Sequence, residues 1–221
     1  MDIIASLQTH ECEISILSLI PDNTLVLDIG ANIGYFTLLM ANHAKKVYAF
    51  EPESRNYQIL EKNVKLNRLS NVKLFNLAVA ETRAKTTMHL CDMNRGMHRI
   101  YASHWCKEGT IEVETVRIDD IIQDADFIKM DIEGSELGAL KGMTKLLMKS
   151  DITMIMEFHP PSIEEYGAKP RDIYDFMKSL GYNIKVPLRG FVSFEELEKI
   201  SIENVGTNVI CTPIHRSSLK S

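Results

Sequence analysis

Two groups of polar residues in this chain are of the types that bind nucleotides and move protons. The first group surrounds a glycine turn, where Asp28, Gly30, Asn32 and Gly34 stand at alternate positions and Glu51 follows the next apolar stretch. Backbone N–H groups at such a turn hold a ligand closely, and a carboxylate beyond the second strand can accept hydrogen bonds from both hydroxyls of a ribose. This group predicts a site for an adenosine-containing cofactor.

The second group brings cation, acid and base to the ends of two later strands. Lys129 and Asp131 share one face of a predicted strand, and Glu133 follows at its exit. Glu157 and His159 share one face of the next strand. His159 is the favoured general base, because the unperturbed pKa of imidazole lies near neutral pH. Asp131 would orient His159 or hold the hydroxyl of an acceptor, and Lys129 and Glu157 complete the predicted catalytic set.

Three other roles stay open for these side chains. Lys129 and Glu157 could form a buried ion pair, and His159 could cap the turn into Pro160. A divalent metal on Asp131, Glu157 and His159 is a third alternative, since mixed oxygen and nitrogen ligands suit Mg, Mn or Fe. Their order is not a compact ligand motif, so the sequence assigns no metal ligand.

The elements that must position both groups alternate along the chain. Strands are predicted at residues 24–29, 46–50, 72–77, 126–131, 152–158, 182–186 and 208–211, and helices at 11–20, 34–44, 53–67, 135–149 and 170–180. This alternation predicts an α/β fold with a doubly wound, mostly parallel sheet. Ligands of such sheets bind beyond the carboxyl ends of the strands, which is where both polar groups fall.

The alternation breaks at residues 80–117. Two strands are predicted there, at 86–90 and 110–117, with a polar segment at 91–109 between them. We interpret residues 91–109 as a substrate lid, because long loops of compact domains commonly carry binding functions.

The residue at the centre of the glycine turn separates two classes of cofactor. A dinucleotide site normally has a glycine at the position of Asn32, whose side chain would crowd a diphosphate. S-adenosylmethionine has no phosphate, and Asn32 and Asp28 suit its amino-acid end. Glu51 would serve either cofactor, so an NAD(P)-dependent oxidoreductase and a cofactor-binding scaffold without catalysis remain alternatives. Gly30 and Gly34 could also simply permit a tight turn.

Six segments together resemble the FkbM-like family of S-adenosylmethionine-dependent class I methyltransferases. They are LVLDIGANIGYFTLL, VYAFEPESRNYQILEKNVKLN, NVKLFNLAVA, ETVRIDDII, DFIKMDIEGSELGALKG and IMEFHP, and they cover about residues 24–160. The resemblance implies a Rossmann-like sheet of seven strands, the last antiparallel, with helices on both faces. It also implies O-methylation of a small molecule, a sugar or a glycan. The residues expected to bind the cofactor are Asp28, Gly30, Ala31, Asn32, Gly34, Glu51, Asn76 and Ala78, the last two near the adenine.

Size and charge exclude several other classes. The chain of 221 residues fits one domain over 1–221, which begins with a short helix within residues 1–22. The net charge of −5 argues against general nucleic-acid binding. The sequence contains no apolar run long enough for a transmembrane helix and no secretory signal, so a cytoplasmic protein is expected. The oligomeric state is not predicted.

The four cysteines are widely spaced, which predicts reduced thiols. His89 and Cys91, and again His104 and Cys106, repeat a pattern that places both side chains on one face of a strand. A zinc site is the less favoured interpretation of this pattern, since the two pairs lack the usual ligand spacing.

Overall fold

The structure, a computed structural model, describes residues 19–91, 98–102, 106–107, 109–187, 189–203 and 206–214. The predicted helix at 11–20 falls almost entirely outside these residues. His104 and Cys12 also lie outside them, as does part of the predicted lid at 91–109.

The main sheet has eight strands among the described residues. They are β1 (Leu25–Ile29), β2 (Lys46–Phe50), β3 (Val72–Phe75), β7 (Phe127–Met130), β8 (Thr153–Phe158), β9 (Tyr182–Val186), β10 (Gly190–Phe191) and β11 (Thr207–Pro213). Their order is β10-β9-β11-β8-β7-β1-β2-β3. The predicted doubly wound, Rossmann-like sheet is confirmed, and the two-residue strand β10 at its edge adds an eighth strand to the expected seven.

Strand direction follows the expectation. β1 lies between β2 and β7 and is parallel to both, and β7 is parallel to β8. The last strand, β11, is antiparallel to both of its neighbours, β8 and β9. β1 and β7 are almost wholly buried, as expected for central strands covered on both faces. The carboxyl ends of β1, β2 and β7 therefore meet at one edge of the sheet.

Eight helices are described. They are α1 (Tyr35–Ala41), α2 (Ser54–Leu66), α3 (Ile118–Ile121), α4 (Glu136–Gly142), α5 (Thr144–Lys149), α6 (Pro160–Tyr166), α7 (Pro170–Ser179) and α8 (Phe194–Glu203). The helix predicted at 135–149 is two helices, because Asp119 accepts the N–H groups of Lys145 and Leu146 and so caps a new start.

The insertion forms a second sheet of three strands. β4 (Ala78–Val79) pairs in parallel with β6 (Gly109–Val116), and β5 (Lys85–Leu90) pairs with β6 in antiparallel register. The two predicted strands of the insertion are confirmed, and β4 was missed. A small apolar cluster around Met88 and Val113 holds this sheet together.

The cysteine prediction is wrong for one pair. Cys91 and Cys106 form a disulfide, with their Cα atoms 4.0 Å apart. Since the two sulfur atoms bond to each other, this pair offers no thiolate to a zinc ion. Cys211 is a free thiol, and it is fully buried in the core.

Among the described residues, no helix combines the length and the apolar composition needed to cross a bilayer.

Candidate active site

A cavity of about 490 Å³ lies beyond the carboxyl ends of β1, β2 and β7. The main sheet contributes the turn after β1, the end of β2 and the exit of β7. The second sheet closes the opposite side with Ala78, Val79 and Met88, together with His98 and Ile100 of the connecting segment. The insertion therefore forms part of the cavity wall.

The turn after β1 depends on its two glycines. Gly30 has a φ of +81° and Gly34 a φ of +97°, a left-handed conformation that favours glycine. A Cβ atom on Gly30 would overlap the carbonyl oxygen of Asp131, and one on Gly34 would meet the side chain of Leu60. The glycines thus let the turn lie directly against β7 and α2.

Asn32 sits at the centre of this turn and is also left-handed, with a φ of +50°. Its backbone N–H donates to Oε2 of Glu51 at 2.8 Å. Its side-chain Oδ1 is buried and has no hydrogen-bond partner among the described residues. Ala31 and Asn32 both line the cavity, so a polar atom without a partner lies at the wall.

Glu51 fixes the opposite side of the turn. The residue is 5% exposed, and its Oε1 accepts the backbone N–H of Glu53 at 2.9 Å. Burial raises the pKa of Glu51 to about 7, although the N–H donors of Glu53 and Asn32 oppose the shift. Each carboxylate oxygen keeps a second lone pair for a ligand, and Glu51 lines the cavity.

Asp28 and Asn76 contact residues of the site but do not line the cavity themselves. Asp28 is fully buried, accepts the hydroxyl of Thr37, and lies 4.0 Å from Nζ of Lys129. Nδ2 of Asn76 donates to the carbonyl oxygens of Glu51 and Pro52, both at 2.9 Å. Neither Asp28 nor Asn76 is a lining residue of the cavity, whereas Ala78 is.

The other end of the cavity is acidic. Asp131 and Glu133 line it, and their carboxylates and that of Glu157 have oxygen atoms within 4.8 Å of one another. Burial, with the charges of Asp131 and Glu133, raises the pKa of Glu157 to about 8. Burial and Asp131 raise the pKa of Glu133 to about 7, against the effect of Arg99.

Lys129 provides a cation inside this acidic end. Its Nζ lies 3.4 Å from Oδ2 of Asp131 and 5.1 Å from the centre of the Phe36 ring. Burial by itself would lower the pKa of Lys129, but Asp131 and Asp28 raise it on balance. Lys129 thus pairs with these two aspartates, whereas the sequence had offered Glu157 as its partner. Because Lys129 and Arg99 already neutralise part of the cluster, we assign no metal ion to it.

His159 lies outside the cavity wall. Its Nδ1 accepts the backbone N–H of Ser162 at 3.2 Å and lies 2.7 Å from the Ser162 hydroxyl, so His159 caps the start of α6. Burial and the neighbouring Arg99 lower its pKa. The capping role that the sequence left open is the one that the structure contains.

The segment 98–101, named the strap here, contributes residues that sequence reasoning missed. His98 and Ile100 line the cavity, while Arg99 and Tyr101 alternate with them and face the other way. Arg99 is 4% exposed and donates to Glu165 at 2.6 Å and to the Ser162 hydroxyl at 3.1 Å. The alternation of HRIY was the only local signal for the strap.

The strap also reaches the exit of β7. Nη2 of Arg99 lies 3.5 Å from Oε2 of Glu133, and the hydroxyl of Tyr101 donates to the Glu133 carbonyl oxygen at 2.8 Å. Glu133 has a φ of +57°, in the left-handed region where residues other than glycine are uncommon. Such conformations persist only where the surrounding structure enforces them, and they cluster at active sites.

Comparisons with known proteins match this chain to one family. The chain matches the Methyltransferase FkbM domain over residues 28–184. It is 25% identical over 201 residues to Methyltransferase sdnD of Sordaria araneosa, covering 75% of this chain and 76% of that protein. It is also 25% identical over 158 residues to the Hexuronic acid methyltransferase AglP of Haloferax volcanii, covering 69% of this chain and 60% of that protein.

Two solved structures share the fold. Methyltransferase FkbM from Methylobacillus flagellatus superposes with a TM-score of 0.58 at 20% identity, over 87% of this chain and 44% of that one. A putative methyltransferase from Streptococcus mutans, solved in complex with SAH, superposes with a TM-score of 0.55 at 12% identity, over 93% of this chain and 97% of that one.

The fold and its glycine turn define the class: this is a Rossmann-like α/β domain. Within that class, the chain belongs to the FkbM methyltransferase family.

Proposed function

We propose that this protein is an S-adenosylmethionine-dependent methyltransferase that methylates a hydroxyl oxygen of a small molecule, a sugar or a glycan. One observation carries the proposal: a buried carboxylate, Glu51, lines the cavity and is bonded to the glycine turn through the Asn32 N–H. The carboxylate thereby lies next to the backbone of the glycine turn, which would bind the amino-acid end of the same S-adenosylmethionine molecule.

The residues at the wall fit this cofactor. Oδ1 of Asn32 is a buried acceptor without a partner among the described residues, which suits a protonated amine. Glu51 suits the ribose hydroxyls, and the apolar surface of Phe50, Leu77 and Ala78 suits an adenine ring. When bound, S-adenosylmethionine supplies a methyl group on a sulfonium.

The remaining site residues have supporting roles in this proposal. Asp28 and Gly34 hold the turn in shape, and Asn76 fixes the backbone at the end of β2. Lys129 and Asp131 form the wall next to the acceptor, with Glu157 behind them. His159, the base favoured by sequence, is connected to this region by a chain of contacts. Its Nδ1 lies 2.7 Å from the Ser162 hydroxyl, which accepts a hydrogen bond from Arg99.

The acceptor class draws on the relatives and on the cavity. AglP is named as a hexuronic acid methyltransferase, so one relative of this chain acts on a sugar acid. Carboxylates such as Asp131 and Glu133 commonly accept hydrogen bonds from hydroxyl groups. A polyhydroxylated acceptor would satisfy this acidic wall.

The competing function is an NAD(P)-dependent oxidoreductase. Such a site needs the backbone of the turn to approach a pyrophosphate, and here Asn32 carries a side chain at that point. The family match also favours methyl transfer.

Ligand binding separates these functions. SAH at 100 times its Kd should stabilise the protein by about 2.7 kcal/mol in thermal unfolding, and NAD should not. Incubating the enzyme with cell extract and S-adenosylmethionine carrying a trideuterated methyl group should then yield a labelled product in mass spectrometry. Stabilisation by NAD without stabilisation by SAH would contradict the proposal, and binding of SAH without any labelled product would leave a scaffold without catalysis.

A further inference from the structure

We propose that Glu133 is the general base that removes the proton from the acceptor hydroxyl, and that Arg99 and Tyr101 of the strap are positioning residues that hold it in place. This inference rests on the proposed methyltransferase function. It assigns the proton transfer to a residue that stood outside the catalytic set predicted from sequence.

The location of Glu133 meets the first requirement for a base, which is access to the acceptor. Glu133 lines the cavity, and its side chain is 18% exposed. Its carboxylate lies within 4.8 Å of that of Asp131, which lines the same wall. A hydroxyl placed at this wall would be within hydrogen-bond reach of the Glu133 carboxylate.

The strap fixes Glu133 without neutralising it fully. Tyr101 donates to its carbonyl oxygen at 2.8 Å, while Arg99 lies at a long 3.5 Å from Oε2 and makes its short ion pair of 2.6 Å with Glu165. The carboxylate is therefore oriented and remains able to accept a proton. The left-handed backbone of Glu133 is the strained feature that these contacts maintain.

The other candidates are less suited to accept the proton. His159 uses Nδ1 to cap α6 and does not line the cavity. Asp131 is engaged by the Lys129 ammonium at 3.4 Å and is more exposed, at 43%. His98 lines the cavity, but its Nδ1 accepts the Cys91 N–H at 3.1 Å. The neutral His98 ring therefore carries its proton on Nε2 and acts there as a donor.

Charged and titratable groups lie on every element around Glu133. Asp131, Arg99 and Lys129 act directly on its carboxylate, the Tyr101 hydroxyl donates to its carbonyl oxygen, and a carboxylate oxygen of Glu157 lies within 4.8 Å. The surrounding elements also carry Glu136 at the start of α4, His159 after β8, Glu165 on α6 and His98 in the strap. Burial and the repulsion by Asp131 outweigh the attraction by Arg99 and raise the pKa of Glu133 to about 7. A carboxylate in that range is well matched to proton removal at neutral pH.

The step balances with the cofactor as the only other reactant. The acceptor oxygen forms a bond to the methyl carbon while the bond between that carbon and sulfur breaks. The hydroxyl proton moves to an Oε atom of Glu133, and the sulfur leaves as a neutral thioether. Glu133 then returns the proton to solvent through the open side of the cavity.

The test compares four proteins: the wild type, Glu133→Gln, Glu133→Asp and Glu136→Gln. Glu136 is a matched control, because it is a buried carboxyl at the start of α4, three residues after Glu133, with a pKa also raised to about 7 by burial, and it does not line the cavity. The rate of label transfer from methyl-labelled S-adenosylmethionine to the accepting fraction of cell extract is measured between pH 5.5 and 9. The Kd for SAH and the melting temperature are measured for each protein.

We expect the wild-type rate to rise through a pKa near 7, as Glu133 loses its proton. In Glu133→Gln the pH-dependent rise should disappear and the rate should fall at least about 100-fold. Its Kd for SAH should stay within twofold of the wild type. Glu133→Asp should recover part of the rate, and Glu136→Gln should keep both rate and profile.

Two results would overturn the inference while leaving the proposed function intact. One is a Glu133→Gln protein that keeps the wild-type rate and pH profile. The other is a His159→Gln protein whose rate no longer rises with pH near 7, while the rate of Glu133→Gln still does. Failure of the wild type to bind SAH would instead remove the proposed function, and the assignment of Glu133 with it.

Discussion

Oε2 of Glu51 accepts the backbone N–H of Asn32 at 2.8 Å, so one buried carboxylate joins the end of β2 to the turn after β1. Two segments that are separate in the chain are thereby held as one surface. The same carboxylate is the proposed partner of the cofactor ribose, so the structural contact and the binding contact share one group.

Replacing Glu51 by alanine should weaken binding of SAH by about 10- to 100-fold, because hydrogen bonds to a charged group contribute roughly 1.5–3 kcal/mol. Isothermal titration calorimetry would measure the change. Glu61→Ala is the matched control, since Glu61 is a partly exposed carboxylate on α2 that forms an ion pair with Lys65. Equal affinities for SAH in the wild type and Glu51→Ala would remove Glu51 from the binding site.

Alanine at Gly30 should prevent correct formation of the turn. The substitution adds left-handed strain of about 1–2 kcal/mol and a clash with the carbonyl oxygen of Asp131. Gly167→Ala carries the same strain at a φ of +97° but meets no atom within 4 Å. Urea unfolding should therefore show a larger loss of stability for Gly30→Ala, together with lost SAH binding. Equal losses for the two variants would mean that the approach of β7 to the turn is not tight.

The disulfide between Cys91 and Cys106 should be visible by thiol alkylation. In denaturant without a reductant, we expect two of the four cysteines to react, and all four after reduction. A double serine variant should be less stable by about 3 kcal/mol, the value typical for closing a loop of this length. Four reactive thiols before reduction would show that the pair is not bonded in solution.

Stability should fall as the pH rises from about 4.5 to about 7. Burial raises the pKa of Glu136 to about 7, so the folded protein binds this proton more tightly than the unfolded chain, and deprotonation costs stability. Glu136→Gln keeps an oxygen acceptor for the N–H of Gly134 and removes the charge. At pH 8 this variant should be more stable than the wild type by about 2 kcal/mol, and at pH 5 the two should be nearly equal. Equal stability at pH 8 would contradict the burial of an ionised Glu136.

Chelation of divalent metals should leave methyl transfer unchanged. The cations at the acidic wall are Lys129, 3.4 Å from Asp131, and Arg99, 3.5 Å from Glu133. Transfer of label would be compared before and after dialysis against EDTA. Loss of activity that Mg²⁺ or Mn²⁺ restores would revive the metal alternative for this cluster.

The glycine turn and the position of Glu51 beside it could be predicted from the sequence because they depend on local patterns. An apolar strand, two glycines and a second strand ending at Glu51 follow one another within 30 residues or so, in the order of a βαβ unit. Each element is specified by its own residues, so no distant contact is needed to place Glu51. Asn76, expected near the adenine, lies at this end of the sheet, where its amide donates to the backbone of Glu51 and Pro52.

The strap could not be predicted because distant residues decide it. Two of the partners of the buried Arg99 are Glu165 and Ser162, which lie on a helix more than 60 residues later in the chain. That helix, α6, was itself missed, since His159 and Pro160 were considered only as a turn. Proline fits the first turn of a helix as well, and the cap by His159 selects that outcome.

The disulfide was within reach of the sequence. The two strands of the insertion were predicted, and their pairing brings Leu90 opposite Gly109. Cys91 leaves one strand and Cys106 precedes the other, so antiparallel pairing places them near each other. The general rule that widely spaced cysteines of a large chain stay reduced outweighed this local geometry.

The cavity wall is divided between two sheets with different anchoring. Glu51 and the glycine turn belong to the main sheet, whereas Met88, His98 and Ile100 belong to the smaller sheet and the strap that crosses it. Substitutions at Met88, His98 and Ile100 would therefore alter this part of the cavity wall without altering Glu51 or the glycine turn. Under the proposed function, proteins that descend from one ancestor could methylate quite different acceptors while they keep the same binding site for S-adenosylmethionine.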